Sequence, residues 1–150
     1  MDELLQLREY IEHGHYTDAL VLIGEMEAMS RDDKVLKIES FLQILLVHLI
    51  KQRVEKRTTR SWDVSIRNAV DAIGRVNKRR RAGGLYLDRD ELTESIDEIL
   101  PSALRQASLE ALEGRRDDFE LRAMLDIDGL KQETLAMIAT DASGQSATGR

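Results

Sequence analysis

The 150 residues include 22 Lys and Arg, 28 Asp and Glu, one Pro and no Cys, which gives a net charge of −6. A chain of this length forms a domain with a sizeable core, and so charged and proline-poor a composition favours helices over an all-β fold. The absence of cysteine excludes disulfides, thiolate metal sites and a cysteine nucleophile. The acidic N-terminus lacks a signal-peptide core, and the longest apolar stretch, 41–50, is about half of a bilayer span. We therefore expect a cytoplasmic protein without a membrane segment.

A short helical hairpin is predicted at the N-terminus. Leu4, Leu7 and Ile11 form one stripe of a helix over 2–13, and Gly14 tolerates the left-handed conformation that ends a helix. A second helix follows and is predicted to end at the Ser-Arg-Asp-Asp turn of residues 30–33.

The next two predicted helices carry most of the apolar residues. The helix of about 34–56 is apolar nearly all round its middle, which is typical of a helix enclosed by others. Another helix begins near Ser61 and places Trp62, Ile66 and Ile73 on one face.

Two capping boxes mark helices in the second half of the chain. Asp88 with Glu91, and Asp117 with Glu120, have the spacing in which the side chains and backbone N–H groups cap each other. The apolar stripe after Asp88 continues in phase through Pro101, which predicts one kinked helix or two adjoining helices.

These elements predict an all-α bundle of about five to seven helices around the buried helix of about 34–56. We expect one domain over 1–140 and a disordered tail over 141–150, since the tail has little to bury. Self-association as a homodimer would use the last two amphipathic segments, beginning near Asp117 and Leu130.

The chain resembles a known family over about 22–114. A helix ends in a Leu-Leu-x-His-Leu-x-Lys pattern, a basic linker and Arg-Ser-Trp follow, and Pro-Ser stands later. The matching residues are Leu45, Leu46, His48, Leu49, Lys51, Arg60, Ser61, Trp62, Pro101 and Ser102. This order is similar to that of the domain of unknown function 29 family, small bacterial proteins frequent in cyanobacteria. The resemblance implies an all-α fold and brings no established activity. The chain departs from the family pattern at Gln52, where an aromatic residue is usual, and in a linker without proline.

Charge is strongly segregated along the chain. Residues 51–81 hold eleven bases and three acids, a net charge of +8, and the other 119 residues have a net charge of −14. Acids of 88–98 and 110–120 could neutralise this run, or it could bind an acidic protein partner or nucleic acid. The candidate partner-binding residues are Arg57, Arg60, Arg67, Arg75, Lys78, Arg79, Arg80 and Arg81.

Two features weaken the nucleic-acid hypothesis. The protein is acidic overall, with a pI near 5.1, and few aromatic residues are present to stack on bases. If the helix after Ser61 did enter a groove, Arg67, Asn68, Arg75 and Asn77 would be the candidates to read base edges.

No catalytic constellation is present in the sequence, so we predict no catalytic residue, metal or cofactor. His48 shares a helical face with Lys51 and Glu55, which fits either a hydrogen-bonded core histidine or a catalytic or pH-responsive group. His13 and His15 lie in a turn without a preformed metal geometry. The first hypothesis is a non-enzymatic protein-interaction module with a basic surface at 51–81. The alternatives are a nucleic-acid-associated regulatory protein using that surface, and an enzyme using His48.

Overall fold

A computed structural model describes the backbone of residues 2–79 and 83–148, and the side chains of these residues as far as 139. Within these ranges the chain forms six α-helices, which confirms the all-α prediction. They are α1 Asp2–Glu12, α2 Tyr16–Glu55, α3 Arg60–Asn77, α4 Arg89–Glu110, α5 Asp118–Met124 and α6 Ile127–Thr148.

The contacts divide the chain into two units, residues 1–35 and 36–150, and α2 contributes to both. The single domain over 1–140 stays a prediction. So does the disordered tail over 141–150, because side chains from residue 140 onward lie outside the described part.

The predicted turn at residues 30–33 is wrong, and with it the separation of the second and third helices. The 40 residues Tyr16–Glu55 form one helix that passes through this stretch. Ser30, Asp32 and Asp33 oppose a helix only weakly, and neither Gly nor Pro interrupts the backbone here. The central helix therefore begins near residue 16 rather than 34.

The first unit contains α1 and the beginning of α2. Gly14, with φ +74°, takes the left-handed conformation expected of it. The N–H of His15 donates to Tyr10 O at 2.7 Å, and the N–H of Gly14 donates to Ile11 O at 3.2 Å. This pair of bonds is a Schellman motif, and it ends α1 as predicted.

The second unit is built around the last part of α2. Ile38, Leu42, Leu45, Leu46, Val47, Leu49 and Ile50 are each at most 1% exposed. Polar contacts run from this segment to three neighbours: Gln43 reaches Gln106 of α4, Gln52 reaches Asp63 of α3, and Arg53 reaches Glu133 of α6. The predicted enclosure of this segment by other helices is therefore confirmed.

Helix α4 is continuous through Pro101. Proline removes one helical hydrogen bond, but Leu100, Ala103 and Leu104 beside it are buried and hold the helix in place. Both predicted capping boxes are formed, by Asp88 with Glu91 at the start of α4 and by Asp117 with Glu120 at the start of α5.

The link between α3 and α4 is held by one buried amide. Asn77 is 3% exposed; its Nδ2 donates to Leu87 O at 3.0 Å, and its Oδ1 accepts from Leu87 N–H at 2.7 Å. A lone antiparallel bridge between Lys78 and Leu85 continues the pairing. Asn77 therefore fixes the connection between α3 and α4. Its amide is not available to read base edges, for which the sequence made it a candidate.

Asn77→Ala should lower the free energy of unfolding by about 2–3 kcal/mol, because it leaves the N–H and C=O of Leu87 buried without a partner. Urea denaturation followed by circular dichroism measures the change. Asn68→Ala is the matched control, since Asn68 lies on the same helix and is exposed. An equal loss in both variants would contradict the role given to Asn77.

Candidate functional site

Three of the bases at and just beyond the end of α2 are neutralised within the fold, whereas Lys56 is exposed and has no ion-pair partner among the described residues. Lys51, 8% exposed, places its Nζ 3.0 Å from Glu110 Oε1. Arg53 Nη2 lies 2.8 Å from Glu133 Oε2, and Arg57 Nε lies 2.8 Å from Glu55 Oε1. Part of the +8 run is therefore matched by carboxylates of α2, α4 and α6 rather than presented to a partner.

The ring of Trp62 lies in contact with two of these cations. The Nζ of Lys51 and the Cζ of Arg57 each lie 4.8 Å from a ring centroid of Trp62, within cation–π range. The backbone N–H of Trp62 donates to Thr59 Oγ1 at 3.1 Å and caps α3. Of the motif residues, Lys51 and Trp62 are in contact, whereas Arg60 and Ser61 are exposed in the first turn of α3.

Gln52 fixes the linker between α2 and α3. Its Nε2 donates to Thr58 Oγ1 at 2.7 Å and to Asp63 Oδ1 at 3.2 Å, and Thr58 donates to the same Asp63 oxygen. Gln52 thus has a defined role: it holds the linker between α2 and α3.

His48 and Glu110 belong to one polar cluster between α2 and α4. The Nδ1 of His48 donates to Ile44 O at 2.7 Å, since a carbonyl can only accept. Glu110 accepts from Lys51 at one oxygen and from Gln106 Nε2 at the other, at 3.0 Å, and Gln106 in turn accepts from Gln43. Both oxygens of Glu110 and the Nδ1 of His48 are therefore engaged in structural bonds, whereas the Nε2 of His48 has no hydrogen-bond partner among the described residues.

A left-handed turn follows α4, and it was not predicted from the sequence. Leu112 and Glu113 have φ of 51° and 58°, a conformation that costs energy for residues with a Cβ. The N–H of Leu112 donates to Glu55 Oε2 at 3.1 Å. A carboxylate at the end of α2 therefore stabilises the turn.

An open cleft of about 640 Å³ lies beside this turn. Its charged lining mixes both signs, and Arg57, Arg115 and Arg116 are already paired with Glu55, Glu113 and Glu120. The full lining is Glu55, Arg57, Glu110, Leu112, Glu113, Arg115, Arg116 and Met124.

The pKa values of three carboxyl groups are shifted by their surroundings. The N–H of Leu112, and then Arg57, hold the pKa of Glu55 below its usual range against the effect of burial. Burial works to raise the pKa of Glu110, but the bonds from Gln106 and Lys51 and the nearby His48 outweigh it and lower this pKa. Burial, and then the charge of Glu98, raises the pKa of Glu39.

The cations of α3 are arranged differently. Arg60, Arg67 and Arg75 lie at helical spacing on one face of α3, and Lys78 is the residue directly after the helix; these four residues, here called the cationic stripe, are exposed over about 25 Å. Within the part of the chain that the structure describes, none of the four has an ion-pair partner. Val64 and Asp71 share this face.

The remaining candidates lie at the end of α3. Arg79 stacks on Tyr86, with its Cζ 5.5 Å from the ring centroid. Arg80 and Arg81 fall outside the described residues.

No group of three or more described His, Asp and Glu side chains is placed to hold a metal ion. His13 and His15 are exposed, and His15 lies 3.9 Å from Asp18. Among the helices of the described ranges, none is both long and apolar enough to cross a bilayer.

Comparison with known proteins gives one match. The model of the family described as Domain of unknown function DUF29 matches residues 4–134, a wider range than the 22–114 of the sequence motifs. No curated protein and no solved structure matches the chain.

The pair of Lys51 and Glu110 should contribute measurably to stability. A double-mutant cycle of Lys51→Met and Glu110→Gln should give a coupling free energy of about 1–2 kcal/mol, because Glu110→Gln alone leaves a buried ammonium without its counter-charge. The control cycle uses Arg115 and Glu113, whose side chains are 76% and 79% exposed, and should give less than about 0.5 kcal/mol. Urea denaturation of all variants measures both, and equal couplings would refute the distinction.

Glu39→Gln should stabilise the protein at neutral pH. A carboxyl whose pKa is raised in the folded state destabilises that state when it ionises, so the cost is present above the ordinary carboxyl pKa of about 4.3 and disappears below it. The gain in urea midpoint should therefore shrink as pH falls towards about 4. Glu94→Gln, an exposed change on α4, is the control. A gain that is unchanged at low pH would show that ionisation is not its cause.

Proposed function

Because this chain belongs to the family of Domain of unknown function DUF29, whose description assigns no activity, we propose its function from its surface. The protein is a non-enzymatic interaction module, and it binds an acidic protein partner through the cationic stripe of α3. The observation that carries this proposal is the contrast between Lys51, Arg53 and Arg57, which have carboxylate partners, and the stripe, whose four cations have none among the described residues.

The contrast has an energetic meaning. Lys51, Arg53 and Arg57 already have counter-charges, so a partner would have to displace Glu110, Glu133 or Glu55 to bind them. The stripe presents exposed cations at no such cost. A row of like charges on one helix also steers an oppositely charged partner before contact and so raises the rate of association.

The other residues of this face favour a protein over a nucleic acid. Val64, 38% exposed, offers an apolar contact between Arg60 and Arg67. Trp62 is half-buried and in contact with two cations, so it offers little face for base stacking. An acidic amphipathic helix or peptide has the chemistry that this face fits.

The polar cluster around His48 supports a structural rather than a catalytic role. Catalysis by His48 and Glu110 would require one of them to exchange protons freely. Both oxygens of Glu110 accept hydrogen bonds, and the Nδ1 of His48 is bound to its own helix. Of these groups only the Nε2 of His48 is therefore placed to exchange a proton, and no described residue is hydrogen-bonded to it as a partner in catalysis. We propose that the module acts in the cytoplasm, in keeping with a chain without cysteine.

The test uses fluorescein-labelled poly-L-glutamate, single-stranded RNA and duplex DNA of mixed sequence as probes, with binding followed by anisotropy. Wild type should bind polyglutamate, and binding should weaken as salt rises from about 50 to about 200 mM. Changing Arg60, Arg67, Arg75 and Lys78 together to Gln should weaken binding at least about tenfold, as expected when charges that hold a partner are removed.

The matched control changes Arg89, Arg105, Arg115 and Arg122 to Gln, which alters net charge equally at exposed positions outside the stripe. It should retain most of the binding. An equal loss in both variants would mean that net charge alone attracts the probe, and the stripe would have no special role. Tighter binding of RNA or DNA, lost only in the stripe variant, would establish the nucleic-acid alternative instead.

A further inference from the structure

The first unit leaves its apolar side chains exposed. Among residues 2–35, Ala19 is the only buried residue. Leu7, Tyr10 and Ile23 are half-buried. Seven larger apolar side chains are mostly exposed: Leu4 60%, Leu5 60%, Ile11 48%, Tyr16 65%, Leu20 70%, Val21 59% and Met29 62%.

Four of these residues lie in two pairs along the helices. Leu4 and Ile11 are seven residues apart on α1, and Tyr16 and Leu20 are four apart on α2, so each pair shares a helical face, whereas Val21 and Met29 lie on other sides of α2. Together the four paired residues expose on the order of 400 Å² of surface, the size of patch that marks an interaction site. A standard interface buries about 800 Å² per partner, of which a little more than half is apolar.

The unit is also too small to be stable without a partner surface. Units of fewer than about 40 residues rarely bury enough surface on folding and are usually completed by disulfides, metals or oligomerisation. The chain contains no cysteine, and no metal cluster is found among the described residues. Oligomerisation would bury further apolar surface of this unit.

We propose that a second copy of the chain covers this face, so that two hairpins of α1 and the beginning of α2 form an intermolecular four-helix bundle with two-fold symmetry. A second hairpin presents the same apolar area, and a two-fold interface needs only one self-complementary patch. The site is independent of the cationic stripe and replaces the earlier expectation that the segments near Asp117 and Leu130 associate.

The charges of α2 favour an antiparallel arrangement. Residues 16–28 carry three acids and no Lys or Arg, whereas residues 29–35 carry two acids and two bases. Antiparallel packing therefore sets the acidic part of one helix against the neutral part of the other. Residues 2–35 as a whole hold nine acids and three bases, a charge that disfavours an anionic membrane as the occupant.

Sedimentation equilibrium of the full chain is the test. Wild type should be a dimer at micromolar concentration, and Leu4→Gln, Tyr16→Gln and Leu20→Gln combined should raise the dimer dissociation constant at least about 50-fold. Circular dichroism should stay unchanged, since all three residues are exposed. The matched control, Leu109→Gln, Phe119→Gln and Met124→Gln, changes side chains that are 80%, 77% and 50% exposed in the second unit, and should remain a dimer.

Salt separates this association from partner binding by the stripe. Two acidic hairpins repel each other and are held by apolar burial, so the dimer should tighten as salt rises, whereas stripe binding weakens. The absence of native cysteine allows a second measurement: Leu20→Cys treated with a short bis-maleimide should give a covalent dimer, and Leu109→Cys should not. A wild-type monomer up to about 100 μM, an unaffected triple variant, or dissociation of the control instead would overturn the proposal.

Discussion

The ammonium group of Lys51 imposes a constraint on the whole second unit. A charge that is 8% exposed must have compensation close by. Glu110 provides the opposite charge from α4, and Trp62 provides an aromatic face from α3. The three helices are thus tied at one point by chemistry that apolar packing alone would not specify. Arg57 and Glu55 extend the arrangement to the turn after α4, so the family motif residues Lys51 and Trp62 serve the fold before they serve any partner.

Much of the fold could be predicted because its signals are local. Gly14 and the two capping boxes act within a few residues, and the apolar pattern of 42–50 permits only an enclosed helix. The prediction of a turn at 30–33 was wrong for a related reason: polar residues are only a weak signal of a turn when neither Gly nor Pro accompanies them. The same residues are compatible with a continuous helix.

The candidate site was less predictable, because it depends on contacts between residues far apart in the chain. Charge counting found the basic run but could not separate the cations that Glu110, Glu133 and Glu55 neutralise from those that remain exposed. Asn77 suited base recognition by its type and position, and only its bonds to Leu87 show that it closes a loop. The exposed apolar side chains of α1 were likewise expected to be covered, since a hydrophobic stripe gives no information about what lies opposite.

The left-handed turn at Leu112 and Glu113 connects the end of α4 to the end of α2. Its backbone is unfavourable on its own, and the bond from Leu112 to Glu55 holds it closed. The end of α4 therefore cannot move away from the end of α2 without releasing the turn and exposing a carboxylate at the same moment. The path of the chain into α5 is thus set by a side chain more than fifty residues earlier in the sequence.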